Sequence, residues 1–322
     1  MHLMNLMIIP LYVLTVVFPL SSNSWMMIWM GMEMNLLMFI FLIMETPISM
    51  IKSESAIKYF LIQSISSVIF ITSINSSMIF YNEKLILSTM LPPVALMIKS
   101  SMAPLHSWSP PIVSKFNLIP LFLFMTMQKL VPMFTIFSSW LWITPFIVMM
   151  NISVGSIGGL TQSSLIKMLI FSSINNSGWM LLTMMNSFLL FWVFFLNYVM
   201  ISILMMKFMW FKQVKWMIQI KSSKPMTKWF FFSIMMSLSG FPPFLGFAPK
   251  WLTIKYLFLN NSTSILMSIF MSILTLFFYL KSSLNLITNI KSYKKWFLNN
   301  HLVINMMFIL NITGPMMFYL IN

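Results

Sequence analysis

Apolar stretches of about twenty residues recur along the whole chain, and that spacing constrains the fold more than any other feature. A helix rises about 1.5 Å per residue, so about twenty such residues cross the ~30 Å hydrocarbon layer of a bilayer. Inside that layer every backbone polar group must be satisfied internally, which leaves helices or closed barrels. Runs of about twenty, rather than alternating segments of about ten, select helices. Eleven runs are expected, near 3–20, 25–44, 56–80, 85–105, 118–140, 141–162, 164–186, 187–206, 229–259, 262–281 and 301–321. The expected fold class is all-α: a polytopic membrane protein with a single membrane domain over 1–322. The first run lacks a basic leader and a small-residue cleavage site, so it reads as a retained span rather than a signal peptide.

Composition adds exclusions. Charged residues make up 7% of the chain, against about a quarter in soluble domains. There is no cysteine, which removes disulfides, iron–sulfur clusters and thiolate metal sites. His2, His106 and His301 are too scattered in sequence to suggest a metal cluster, and no phosphate-binding glycine loop or nucleophile motif occurs. No metal site and no bound cofactor are therefore expected. The net charge of +15 comes from lysines set against four glutamates, without arginine. A nucleic-acid binder would carry arginine on a water-facing surface, so no nucleic-acid partner is expected. The scarcity of alanine and glycine beside abundant Met, Ile, Phe, Asn and Lys fits translation from an A+T-rich genome, such as a mitochondrial one.

The lysines test the span count. Loops on the N-terminal side hold Lys52, Lys115, Lys207, Lys212, Lys215, Lys221, Lys224, Lys228, Lys281, Lys291, Lys294 and Lys295, whereas the opposite side holds Lys84 and Lys255. By the positive-inside rule the N-terminal side is the inner one. Segment 207–228 mixes lysines with Trp210, Phe211 and Trp216 and is expected to lie along the headgroups. Lys58 and Lys167 fall within about a turn of the inner face, where each either snorkels to water or serves as a link in a relay. Glu33, Lys99, Lys129 and Lys250 fall deeper, where ionisable residues are functional candidates by default.

Two of these lysines follow proline pairs. The fourth run holds "LPPVALMIKSSMAPLH" (91–106), with Pro92 and Pro93 ahead of Lys99; the ninth holds "SGFPPFLGFAPKW" (239–251), with Gly240, Pro242, Pro243, Gly246 and Pro249 ahead of Lys250. Dividing the chain as 3–140 and 141–281 places each interrupted helix fourth of five, with 301–321 left as an extra C-terminal helix. An odd number of spans per unit means that the two copies are inverted. Interrupted helices at matching places in inverted repeats are a transporter signature, with the ion site at the break. The bland alternative, a proline kink beside a snorkelling lysine, accounts for either segment alone but poorly for the pair.

A buried lysine has a useful chemistry. Burial disfavours the ammonium, and a nearby carboxylate favours it again. At an effective dielectric of about 20, opposite charges ~4 Å apart attract by about 4 kcal/mol, enough to switch a lysine between holding and releasing a proton. Glu33, mid-span in "WMGMEMNLL", is expected to pair with Lys99, with Lys129 in "MTMQKLVPMF" and then Lys250 following. The same pairs could instead only hold helices in register.

Several stretches, in order along about three-quarters of the chain, carry a specific resemblance: "SNSWMMIWMGMEMNLL", "ESAIKYFLIQS", "LMIKSSMAPLHSW", "GSIGGLTQSSLIKMLIFSSINNSGWM" and "LSGFPPFLGFAPKW". The chain resembles the antiporter-like, proton-translocating subunit family of NADH:ubiquinone oxidoreductase, respiratory complex I, in its short animal mitochondrial form, which lacks the first three helices of bacterial members. The resemblance implies a core subunit of the membrane arm in the mitochondrial inner membrane, with the N-terminus on the matrix side and the C-terminus facing the intermembrane space. It implies other membrane-arm subunits, further antiporter-like ones among them, and lipids as partners, and no homo-oligomer. NADH, FMN, iron–sulfur clusters and ubiquinone are implied on other subunits. Glu33 and Lys99 would be the gating pair, Lys129 the central relay and Lys250 the exit-side relay, with His106 a possible link. Two departures stand out. Asn176 occupies a position where the family usually has histidine, and an amide carries no proton. "HSWSP" (106–110) replaces a more aromatic pattern. The other readings carried forward are a stand-alone cation/proton antiporter and a scaffold whose polar residues only bind helices together.

Overall fold

The computed structural model describes residues 2–44, 50–79, 86–220, 225–257 and 262–287, together with 311. The run expected at 301–321 lies outside the described residues apart from Asn311. The chain forms two compact units, Met1–Thr144 and Pro145–Asn322. The first contains α1 (His2–Ser21), α2 (Trp25–Met44), α3 (Met50–Ile79), α4 (Ile86–Ser100), α5 (Ser109–Val113), α6 (Leu118–Met125) and α7 (Leu130–Ser139). The second contains α8 (Thr144–Leu160), whose first residue closes the first unit, α9 (Leu165–Asn186), α10 (Phe188–Lys212), α11 (Met217–Ile220), α12 (Pro225–Ser239), α13 (Phe247–Leu257) and α14 (Ser262–Ile287). Among the described residues the β structure is a lone bridge between Ser164 and Trp216.

Among the described residues, six helical segments are long and apolar enough to cross a membrane: 25–44, 50–76, 118–139, 141–160, 188–212 and 266–284. The outward faces are as apolar as the inward ones, which is the reverse of a soluble helix. On α2, Met32, Leu36, Phe39 and Ile43 are buried, while Met26, Met30, Met34, Leu37 and Phe41 are exposed. By contrast, α9 is buried on nearly every side, from Leu165 to Met184 with only Lys167 half-exposed, so it forms the centre of the second unit.

Four differences from the expected helices bear on the site. First, the helix expected at 85–105 does not break at Pro92–Pro93; both prolines are buried inside α4, and the interruption falls at 101–108. A proline pair removes two N–H donors and kinks a helix, but α4 is held on past it by Ala95, Leu96 and Met97, each 3% exposed or less. Second, the helix expected over 118–140 is interrupted between α6 and α7, where a short 3-10 turn spans Met127–Lys129. Thr126 returns its hydroxyl to the Phe122 carbonyl at 2.8 Å, and Pro132 has no N–H for the Gln128 carbonyl, so the α ladder lapses here. Third, α10 continues to Lys212 rather than ending near 206, and turns through Gln213 at φ 49°. This places Lys207 and Lys212 on the helix, with Trp210, Phe211 and Trp216 exposed beside them. Fourth, Lys228, expected in a loop, is buried in the first turn of α12.

Candidate functional site

In the first unit α4 ends in a left-handed cap. Ser101 takes φ 56°, its N–H reaches the Ile98 carbonyl at 3.2 Å, and the Met102 N–H reaches the Met97 carbonyl at 2.9 Å. Lys99 therefore sits in the last helical turn, where the helix dipole favours a cation. It is 6% exposed. Its Nζ donates to Glu33 Oε1 of α2 at 3.4 Å, and Glu33 keeps 29% of its side chain exposed. The Lys99 carbonyl, left without a helical donor by the break, accepts from Gln63 Nε2 of α3 at 3.1 Å. The hydroxyl of Ser101 is buried without a hydrogen-bond partner among the described residues.

Lys129 closes the 3-10 turn and is 3% exposed. Its neighbour Gln128 forms a reciprocal amide pair with Asn35 of α2, each donating to the other at 3.2 Å. A cavity of about 20 Å³, room for a water rather than an organic substrate, opens among Asn35, Tyr59, Gln63, Lys99 and Gln128. His106 lies half-buried in the break: its carbonyl receives the Ser109 N–H at 3.0 Å and its Nδ1 stands 3.2 Å from the Pro104 carbonyl. Lys58 is turned to the exposed face, paired with Glu54, which Lys115 also approaches at 3.5 Å.

In the second unit the break follows α12. Gly240 takes φ 82°, its N–H reaches the Ser237 carbonyl at 3.2 Å, and the Phe241 N–H reaches Met236 at 3.1 Å, the same cap as at Ser101. Pro242 and Pro243 lie in the connection itself, and Pro249 falls in the first turn of α13, where its missing N–H costs nothing. Gly246 passes so close to the Ser237 carbonyl oxygen that a Cβ would overlap it. Lys250 on α13 is 6% exposed; its Nζ donates to the Ser239 carbonyl, at the end of α12, at 2.8 Å and lies 5.5 Å from the Trp179 ring centre of α9. A cavity of about 20 Å³ is lined by Lys250 with Asn176, Asn197, Tyr198 and Ser237. Lys167 is half-exposed in the first turn of α9.

The structure thus brings Glu33 and Lys99 together, sets Lys129 on an adjacent break and gives Lys250 a carbonyl and a ring as partners. The amides Asn35, Gln63 and Gln128 escaped the sequence reading, as did the Ser239 carbonyl. The rule applied to charges would have found the amides, because a polar group at membrane depth is costly unless it is hydrogen-bonded.

Residues 22–277 match the family described as NADH:quinone oxidoreductase/Mrp antiporter, TM. The chain is similar to NADH-ubiquinone oxidoreductase chain 2 of Anopheles gambiae, 37% identical over 300 residues that cover 88% of this chain and 85% of that one. It is 34% identical to the Locusta migratoria protein of the same name over 86% of this chain and 83% of that one. Its fold is similar to a chain of Thermus thermophilus respiratory complex I, with a TM-score of 0.79 at 18% identity, covering 97% of this chain and 76% of that one. A chain of the Mrp complex from Dietzia sp. is also similar in fold, with a TM-score of 0.72 at 18% identity, over 90% of this chain and 61% of that one. Since the matched segment spans most of the chain and takes in both broken helices together with Glu33, Lys99, Lys129 and Lys250, the chain belongs to the NADH:quinone oxidoreductase/Mrp antiporter membrane family.

Proposed function

We propose that this chain is a core membrane-arm subunit of mitochondrial NADH:ubiquinone oxidoreductase and carries protons across the inner membrane through a relay of Glu33, Lys99, Lys129 and Lys250. The observation that carries the reading is the Lys99–Glu33 contact at 3.4 Å on the end of an interrupted helix, beside a water-sized cavity. With the carboxylate close, the Lys99 amine keeps its proton; when the carboxylate moves off, desolvation favours the neutral amine and the proton passes to water. Each step breaks one N–H bond and forms another through water, and no redox group of this chain takes part. NADH, FMN, iron–sulfur clusters and ubiquinone belong to other subunits, and electron transfer there drives the displacement of Glu33. The halves 3–140 and 141–281 are inverted repeats, the N-terminus faces the matrix, and the partners are other membrane-arm subunits and lipid rather than a second copy.

The test is Lys129→Met in the assembled complex in sealed vesicles, measuring protons translocated per NADH oxidised. A lowered ratio with normal assembly supports the relay, and an unchanged ratio leaves a scaffold. The similarity to the Mrp chain favours one other reading, a cation/proton antiporter outside complex I. Purification separates the two, since a subunit travels with a large NADH-oxidising assembly.

A further inference from the structure

Close to Glu33 on α2 and beside Lys129 on its turn stand two side chains that cannot carry a proton. Asn35 and Gln128 face one another so that each amide donates to and accepts from the other at 3.2 Å. Asn35 lies two residues from Glu33 on the rigid helix α2, and Gln128 precedes Lys129 on the 3-10 turn. The turn is the weak point of its helix: Thr126 departs from helical geometry at φ −111° and ψ −79°, and the Lys129 N–H reaches the Thr126 carbonyl only at 3.4 Å. A shift of α2 that moves Glu33 therefore pulls on Gln128 through Asn35, and the backbone around Lys129 is the part able to yield. The cavity reaches Lys99, Asn35 and Gln128 together, so water can take over each bond when the amides separate. An amide hydrogen bond exchanged for bonds to water costs little net, which makes such a contact reversible.

We propose that the Asn35–Gln128 amide pair is a latch, a pair of positioning residues that couples movement of the Glu33-bearing helix to the turn carrying Lys129. Closed, the two amides satisfy each other and keep water from spanning Lys99 and Lys129. Open, both amides turn aside to bond water, and water then spans Lys99 and Lys129. The latch rests on the relay reading above.

The experiment uses the assembled complex in sealed vesicles and reads protons translocated per NADH oxidised, together with the uncoupled NADH oxidation rate. Asn35→Leu and Gln128→Leu are each expected to slow proton translocation about three- to tenfold, the size of one hydrogen bond expressed in a rate, and to lower the proton ratio with it. The double leucine variant is expected to be no worse than either single one, because the two residues act as one unit. The exchanged pair, Asn35→Gln with Gln128→Asn, restores two facing amides and is expected to recover most of the ratio. A parental ratio in either leucine variant overturns the latch, as does a double variant whose losses multiply. A loss confined to the amount of complex, with protons per NADH unchanged, also overturns it. Should leucine block assembly, Asn35→Ser and Gln128→Thr carry the same expectation, and parental pumping in them overturns the proposal. Lys129→Met, run alongside, separates the two ideas. If its ratio is normal the relay itself falls; if its ratio is low while the amide variants pump normally, only the latch falls.

Discussion

The two broken helices solve one problem with different residues. Each half-helix ends in the same left-handed cap, at Ser101 in the first unit and Gly240 in the second, and each break holds a buried lysine. In the first unit the lysine precedes the break and meets a carboxylate, Glu33. In the second it follows the break, and its ammonium reaches back to the Ser239 carbonyl and toward the Trp179 ring. A carboxylate can be moved away to change the charge balance, whereas a helix-end carbonyl is fixed and holds only a partial charge. Under the proposed relay, the first break would switch and the second receive.

Four substitutions probe that contrast. Gly246→Ala has the largest expected effect: its methyl would overlap the Ser237 carbonyl oxygen, and backbone on both sides leaves no room to yield. A cost of about 3 kcal/mol or more is expected, read as loss of assembled complex on a native gel. Glu33→Gln comes next. It leaves the buried Lys99 ammonium without its carboxylate, at a cost of about 3 kcal/mol, the low end for a broken buried pair because Glu33 is partly exposed. Thermal inactivation of the complex should show the loss, and Glu33→Gln with Lys99→Met should recover most of it; a double variant as unstable as the single one would break the comparison.

The cap residues give the smaller and opposite effects. Gly240→Ala forces a Cβ into φ 82° and against Lys250 Cδ at 2.8 Å, for about 1–2 kcal/mol lost. Ser101→Gly relieves the same backbone strain and removes a buried hydroxyl without a partner among the described residues, for about 1 kcal/mol gained. Inactivation temperatures should therefore move down in the first variant and up in the second. Equal shifts of one sign would mean that the two caps are not equivalent.

Much of the second break was legible beforehand. "SGFPPFLGFAPKW" carries its own instructions: a glycine for the left-handed cap, prolines that cannot continue the helix, a glycine for the close approach and a proline suited to a first turn. The first break was misplaced because its proline pair carries the same letters and lies inside α4, whereas the αL residue is a serine marked only by Pro104 three residues on. The lapse before Lys129 left only Pro132 and Thr126 as signals, and neither alone ends a helix.

Apolar run length gave the class of fold, and position within the runs picked out Lys99, Lys129 and Lys250 as buried though not Lys228, because a bilayer penalises backbone and charge by depth alone. Partnership was decided only in three dimensions. That Lys99 meets Glu33, that Asn35 faces Gln128 across more than ninety residues, and that Lys250 finds a carbonyl all depend on how helices pack. A hydrogen bond is a matter of a few tenths of an ångström, and no spacing along a chain carries that information.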